Sequence, residues 1–171
     1  AVFNTYRTLA RVAVQVTATF SHALWAEFSR LFGQGGAPAM RGLYHRSARM
    51  GLIGAVTLSV VLYLIGPTLL AWWTHGAVPT HAELLWWLLL YAAACGAWHV
   101  PRVALMATNQ HDGLAQGVVL ISALGFAVCW ALGQAWQVEG IAAGMALAEL
   151  ACAAWCVWSL RRLMQPQGAW A

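Results

Sequence analysis

Residues 51–73 read GLIGAVTLSVVLYLIGPTLLAWW, a stretch without a single Asp, Glu, Lys, Arg or His. At about 1.5 Å of helical rise per residue it reaches roughly 34 Å, slightly more than the ~30 Å hydrocarbon core of a bilayer. Residues 84–106, 114–136 and 141–163 repeat the pattern, and the four stretches together contain only Arg102, Glu149, Arg161 and Arg162 as charged residues. Each is long enough to cross a membrane. Composition excludes a soluble globular domain, because charged residues are 8% of the 171, against about 25% in ordinary globular chains. No period-2 alternation marks barrel strands, and backbone groups in hydrocarbon must pair within their own segment, so the spans read as helices.

The chain has no Lys, and its nine Arg set its net charge of +4. Arg30, Arg41, Arg46 and Arg49 flank the first connection and Arg161 with Arg162 close the last span, whereas residues 74–82 and 137–140 contain no strong cation. Positive residues thus alternate sides in register with the spans, which places the first long connection and the C-terminus in the cytoplasm. Residues 107–113 must share that side, with Arg102 a turn or so before them able to snorkel to the interface. Trp72, Trp73, Trp86 and Trp87 bracket the connection that carries His75 and His81, an aromatic belt on the outer face; Trp136 marks the other outer turn. Interfacial anchoring accounts for these indoles more simply than sugar stacking.

All four cysteines, Cys95, Cys129, Cys152 and Cys156, fall inside spans, so neither a disulfide framework nor a paired metal-ligand motif is implied. The first segment, residues 6–32, is helical in period but carries Arg7, Arg11, Gln15, His22, Glu27 and Arg30. It cannot face lipid all round. Either it is a fifth span whose polar face lines a cavity or meets partner helices, or it is an amphipathic helix lying on the surface; its length and the required topology favour the span. Residues 33–38 break it, and residues 39–50, with Arg41, His45 and Arg49 four apart, read as a short basic helix at the inner headgroups.

The order of these marks resembles the C-terminal half of a polysaccharide flippase, from the multidrug/oligosaccharidyl-lipid/polysaccharide exporter superfamily. The resemblance is carried by FNTYRTLAR at 3–11, ALWAEFSRLFG at 23–33, GPTLLAWW at 66–73, LMATNQH at 105–111 and VEGIAAG at 138–144, and covers nearly the whole chain. Family members usually carry Pro where Ala26 precedes Glu27, so the kink expected there lacks its usual cause. The resemblance implies an all-α membrane protein, with about five transmembrane helices forming most of one lobe of a two-lobed exporter. Residues 6–32 would be the eighth helix of the parent, whose N-terminal half is expected to be missing, as the absence of an initiator Met and of a signal segment also suggests.

It further implies transport, not enzymatic catalysis: a lipid-linked (polyprenyl-pyrophosphate) oligosaccharide for lipopolysaccharide or other surface polysaccharide is moved across a bacterial inner membrane. No cofactor, metal or nucleic acid is implied; the partners are cargo, membrane lipids and the other half of the transporter. Arg11, with Arg7 second, is the candidate for binding the cargo's phosphate, since guanidinium matches phosphate bidentately; the alternative is that both anchor the helix at the headgroups. Glu149, Glu27, His22 and Gln15 are cavity or ion-coupling candidates, with Glu149 equally readable as a carboxyl hydrogen-bonded to a neighbouring helix. Glu27 is placed to pair with Arg30 at i, i+3. Gly140-x-x-x-Gly144 and Gly113-x-x-x-Gly117 permit close helix approach. A cation-coupled drug exporter of the same superfamily, a haem-bearing oxidoreductase using His22 and His99, and a non-transporting structural subunit are the competing readings.

Overall fold

The computed structural model describes residues 2–165. They form four α-helices: α1 (Val2–Ala23), α2 (Trp25–Trp73), α3 (Ala82–Ala107) and α4 (His111–Leu163). The expected cytoplasmic tail beyond residue 165 lies outside the described residues.

α2 and α4 each double back on themselves. In α2 the helical dihedrals fail only at Gly35 and Gly36, the latter at φ 65° and ψ −161°. That combination is open essentially to glycine alone, so Gly36 is what lets the chain reverse in two residues. Pro38 follows in the first turn of the new arm, where its missing N–H has no carbonyl to serve. Beyond the reversal Gly51 lies against Phe20 and Val100, and Gly66 against Leu9 and Leu85, so residues 37–73 run antiparallel to α1. In α4 the break is at Trp136 and Gln137. A side chain carbon placed on Gly144 would lie 2.8 Å from the Cys129 Cα, on Gly125 2.7 Å from the Ala148 Cβ, and on Gly140 2.1 Å from the Leu132 carbonyl oxygen. The two arms of α4 are therefore zipped face to face by small residues.

These reversals correct the expected number of helices. Three helical runs are long and apolar enough to cross a membrane, Val2–Trp73, Ala82–Ala107 and His111–Leu163, rather than about five. The physical reason is that a two-residue break redirects the chain without a loop. Residues 39–50, read as a separate basic helix, continue into residues 51–73 with no interruption. The polar first segment, by contrast, has a slight discontinuity at Leu24, whose N–H reaches back three residues to the Ser21 carbonyl (3.1 Å). The break sits two residues before Ala26 and needs no proline.

α3 is the pillar of the bundle and packs on α1, α2 and α4. Most of its residues are buried, among them Leu84, Leu88, Ala92, Cys95, Val100 and Leu105. Two cores form along it: Tyr6, Leu9, Leu62, Leu70, Leu84 and Leu88 at one end, and Phe28, Met40, Tyr44, Trp98, Val103 and Leu160 at the other. The outward faces of α2 and α4 are apolar, with Leu64 70% and Phe126 75% exposed. Exposed aliphatic and aromatic side chains on this scale belong in lipid, and the chain is an all-α membrane protein.

The ends of the bundle are chemically distinct. At one, Tyr6 Oη donates to the Pro79 carbonyl (2.9 Å) and accepts from the His81 N–H (2.8 Å). At the other, Ser29 Oγ donates to the Ala107 carbonyl (3.4 Å) and Arg41 to the Met164 carbonyl. Arg30, Arg41, Arg46, Arg49, Arg102, Arg161 and Arg162 lie toward this second end, and only Arg7 and Arg11 toward the first.

The zipper makes a prediction. Gly144→Leu should destabilise the bundle by about 1–3 kcal/mol through overpacking against Cys129. Gly54→Leu, at a position with open space around it, should be neutral or slightly stabilising. Thermal melting of both variants in detergent, followed by circular dichroism, checks this.

Candidate functional site

α1 buries Tyr6, Leu9, Ala10, Ala13, Thr17 and Ser21, spaced three and four apart along one face. The opposite face follows from the same period: Asn4, Arg7, Thr8, Arg11, Gln15, Thr19 and His22 are all exposed. This polar stripe runs the length of the helix. Since Tyr6 is tied to the connection before α3 and Ser29 to its far end, α1 and the first arm of α2 together lie alongside the whole of α3. The helix is a member of the bundle, not a surface-lying appendage.

The threonine hydroxyls on the stripe turn inward, Thr8 Oγ1 donating to the Asn4 carbonyl and Thr19 Oγ1 to the Gln15 carbonyl, both at 2.9 Å. The side chains of Arg11 and Gln15 have no hydrogen-bond partner among the described residues. Arg7 sits at the edge of the stripe nearest α3, within electrostatic reach of Tyr91.

Glu149 on the second arm of α4 is within electrostatic reach of Tyr91 as well. Glu149 accepts a hydrogen bond from Trp98 Nε1 (2.6 Å), and the Arg102 guanidinium lies 5.5 Å from the centre of the same indole. A carboxylate held by an indole donor and a guanidinium over the ring face form a connected chain of charge-assisted and cation–π contacts. Tyr91, Cys95, Trp98 and Arg102 follow the i, i+4, i+7, i+11 spacing of one helix face. That spacing was the available signal for these partners, which the sequence reading left out. Nearby, His99 is buried and its Nδ1 shares a 3.0 Å hydrogen bond with Thr17 Oγ1, with His22 and Arg102 within electrostatic reach.

The other candidates are distributed differently. Glu27 is held by Arg30, whose Nε reaches Oε2 at 2.8 Å while its Nη1 donates to Gln34 at 2.7 Å; the pair is exposed at the arginine-rich end, away from Glu149. His22 ends the stripe. The structure therefore aligns Arg7, Arg11, Gln15 and His22 on one face, leaves Glu149 on α4 against Trp98 of α3 and apart from that face, and leaves Glu27 in a local ion pair. No cluster of three or more His, Cys, Asp or Glu placed to hold a metal occurs among the described residues. On the other flank of α1, an apolar groove of about 510 Å³ runs between Val16, Phe20, Gly51, Gly54 and Val61.

Set against protein-family models, curated proteins and solved structures, the chain finds no match in any of the three.

If the stripe faces water, its positions are reactive where lipid-facing ones are not. In a background with the four native cysteines changed to Ser, Arg11→Cys, Gln15→Cys and Thr19→Cys should each be modified by a small charged thiol reagent, and Val60→Cys and Leu124→Cys should stay unmodified. Mass spectrometry of the labelled protein in membranes reads the difference.

Proposed function

We propose that this chain forms most of one lobe of a polysaccharide flippase in a bacterial inner membrane. The observation that carries the reading is the uncovered, arginine-bearing face of α1 in a bundle whose remaining outward faces are apolar. A charged side chain at the bilayer centre costs about 2.5–3.5 kcal/mol by insertion measurements. A stripe of Arg, Gln and His over several turns is retained only where water or a polar partner meets it. In this reading a second lobe, the N-terminal half of the transporter, closes the other side of an aqueous cavity, and the two rock about it.

The cargo is a polyprenyl-pyrophosphate oligosaccharide, carried from the cytoplasmic to the outer leaflet. Its pyrophosphate cannot cross hydrocarbon unpaired. Arg11, one turn deeper than Arg7 by about 6 Å, supplies a planar fork to the phosphates, Arg7 supports it, and Gln15 with the threonines meets the sugars. The apolar groove on the other flank of α1 leaves the polyprenyl chain on the lipid side. A cation-coupled drug exporter would place carboxylates on the cavity face, and the exposed stripe from Asn4 to His22 has none. Glu149, held by the Trp98 indole N–H, is the candidate for a coupling ion. The arginine-rich end is cytoplasmic by the distribution of positive charge.

Two measurements test this. In the full-length parent, Arg11→Ala should abolish complementation of a flippase-deficient strain with the protein still inserted, Arg11→Lys should retain partial function because the charge survives without the fork, and Arg46→Ala should complement nearly normally. Normal complementation by Arg11→Ala would remove the phosphate role. For orientation, single cysteines replacing Arg46 and Ala77 should differ toward an impermeant reagent in intact cells, Ala77→Cys labelling and Arg46→Cys remaining protected; equal labelling refutes the layout.

A further inference from the structure

At the arginine-rich end, away from the stripe of α1, a cavity of about 270 Å³ opens between the end of α3 and the two arms of α4. Its wall includes Leu105, Gln110, Trp155, Trp158, Ser159 and Arg162. Arg162 is not loose in solvent: its guanidinium carbon stacks 3.7 Å from the centre of the Trp158 ring, and Trp158 itself packs on Trp155 with ring centres 5.0 Å apart. Stacking over the indole fixes the plane of the guanidinium and leaves its N–H edge free to donate. No ion pair or hydrogen bond takes up that edge among the described residues. Asp112, in the facing first turn of α4, does not line the cavity.

We infer that this cavity is a binding site for the phosphate of an anionic phospholipid headgroup, with Arg162 as the principal donor and Gln110 and Ser159 as polar neighbours. Three features on one spot argue for a lipid. The cavity sits where the last span ends, the depth at which headgroups lie; indoles beside it are the residues that settle at the hydrocarbon boundary; and its unpaired charge is positive. Its volume admits a phosphate with its glycerol, while the adjoining Trp155 and Leu163 surface receives the start of the acyl chains. The site rests on the membrane orientation given above and not on the cargo assignment, so it stands or falls separately from Arg11.

The full chain, purified in a non-ionic detergent, is titrated with phosphatidylglycerol, phosphatidylcholine or inorganic phosphate, and lipid retention is read by native mass spectrometry. Phosphatidylglycerol should be retained about tenfold more tightly than phosphatidylcholine, the scale of one charge-assisted contact. Arg162→Gln should remove that preference, whereas the neighbouring Arg161→Gln should change it less than twofold. Ser159→Ala, which trims one hydroxyl and leaves the fold alone, should weaken phosphatidylglycerol about threefold and serves if Arg162→Gln melts early. Millimolar inorganic phosphate should not displace the lipid. Equal retention of the two lipids overturns the inference. So does an equal loss in the Arg161 and Arg162 variants, which would reveal general charge attraction, or displacement by inorganic phosphate, which would make the ligand a free anion.

Discussion

In hydrocarbon a peptide group has no water to turn to, and this single requirement shapes the whole chain. Each described segment that reaches the apolar zone is helical, and where the chain must reverse it does so in two residues. Gly36 manages the turn through a backbone conformation open to glycine. Gln137 holds φ at 52° without that freedom, at a cost of order 1–3 kcal/mol. The zipper of Gly125, Gly140 and Gly144 between the two arms offsets this by close packing. α3 is buried because the reversals wrap the other arms around it.

The polar stripe of α1 has meaning only against that background. Elsewhere in the bundle polar groups are satisfied within it: Ser59 Oγ donates to the Leu89 carbonyl, Thr108 Oγ1 to its own preceding turn, and Thr17 Oγ1 shares a hydrogen bond with His99 Nδ1. Arg11 and Gln15 break the pattern by pointing away from everything described. A helix with one face packed into a core and the other charged and bare is half of an interface, with water or protein as the other half. The transporter reading supplies both.

Much of this was legible in the residues. The apolar runs are long, nearly free of charge and bounded by Trp and Arg, so hydropathy located them; the helical period and polar content of residues 6–32 marked a segment with a polar face carrying Arg11 and Gln15. Other features could not be read. Nothing at Met50 or Gly51 stops a helix, yet the change from basic to apolar composition there suggested a boundary where the backbone has none. Glu149 was recognisable as an expensive group, but its donor Trp98 lies 51 residues away and is found only by knowing how α3 packs on α4. Gly113-x-x-x-Gly117 and Gly140-x-x-x-Gly144 look alike in sequence. Gly113 meets nothing, while Gly117 and both members of the second pair are in contact, a difference that depends on the partner arm.

Tyr6 gives the first turn of α1 a mechanical role. Its ring is almost wholly buried at 1% exposure, and its single hydroxyl grips both a carbonyl and an N–H of the segment that leads into α3. Two opposed bonds on one oxygen act as a hinge pin: they resist sliding along the bundle axis but permit rotation about the phenol. With Thr17 bonded to His99 and Ser29 to the Ala107 carbonyl, this pin is the first of three points at which α1 and its continuation are fastened along α3, so the charged face is held in register with the buried helix over its whole length.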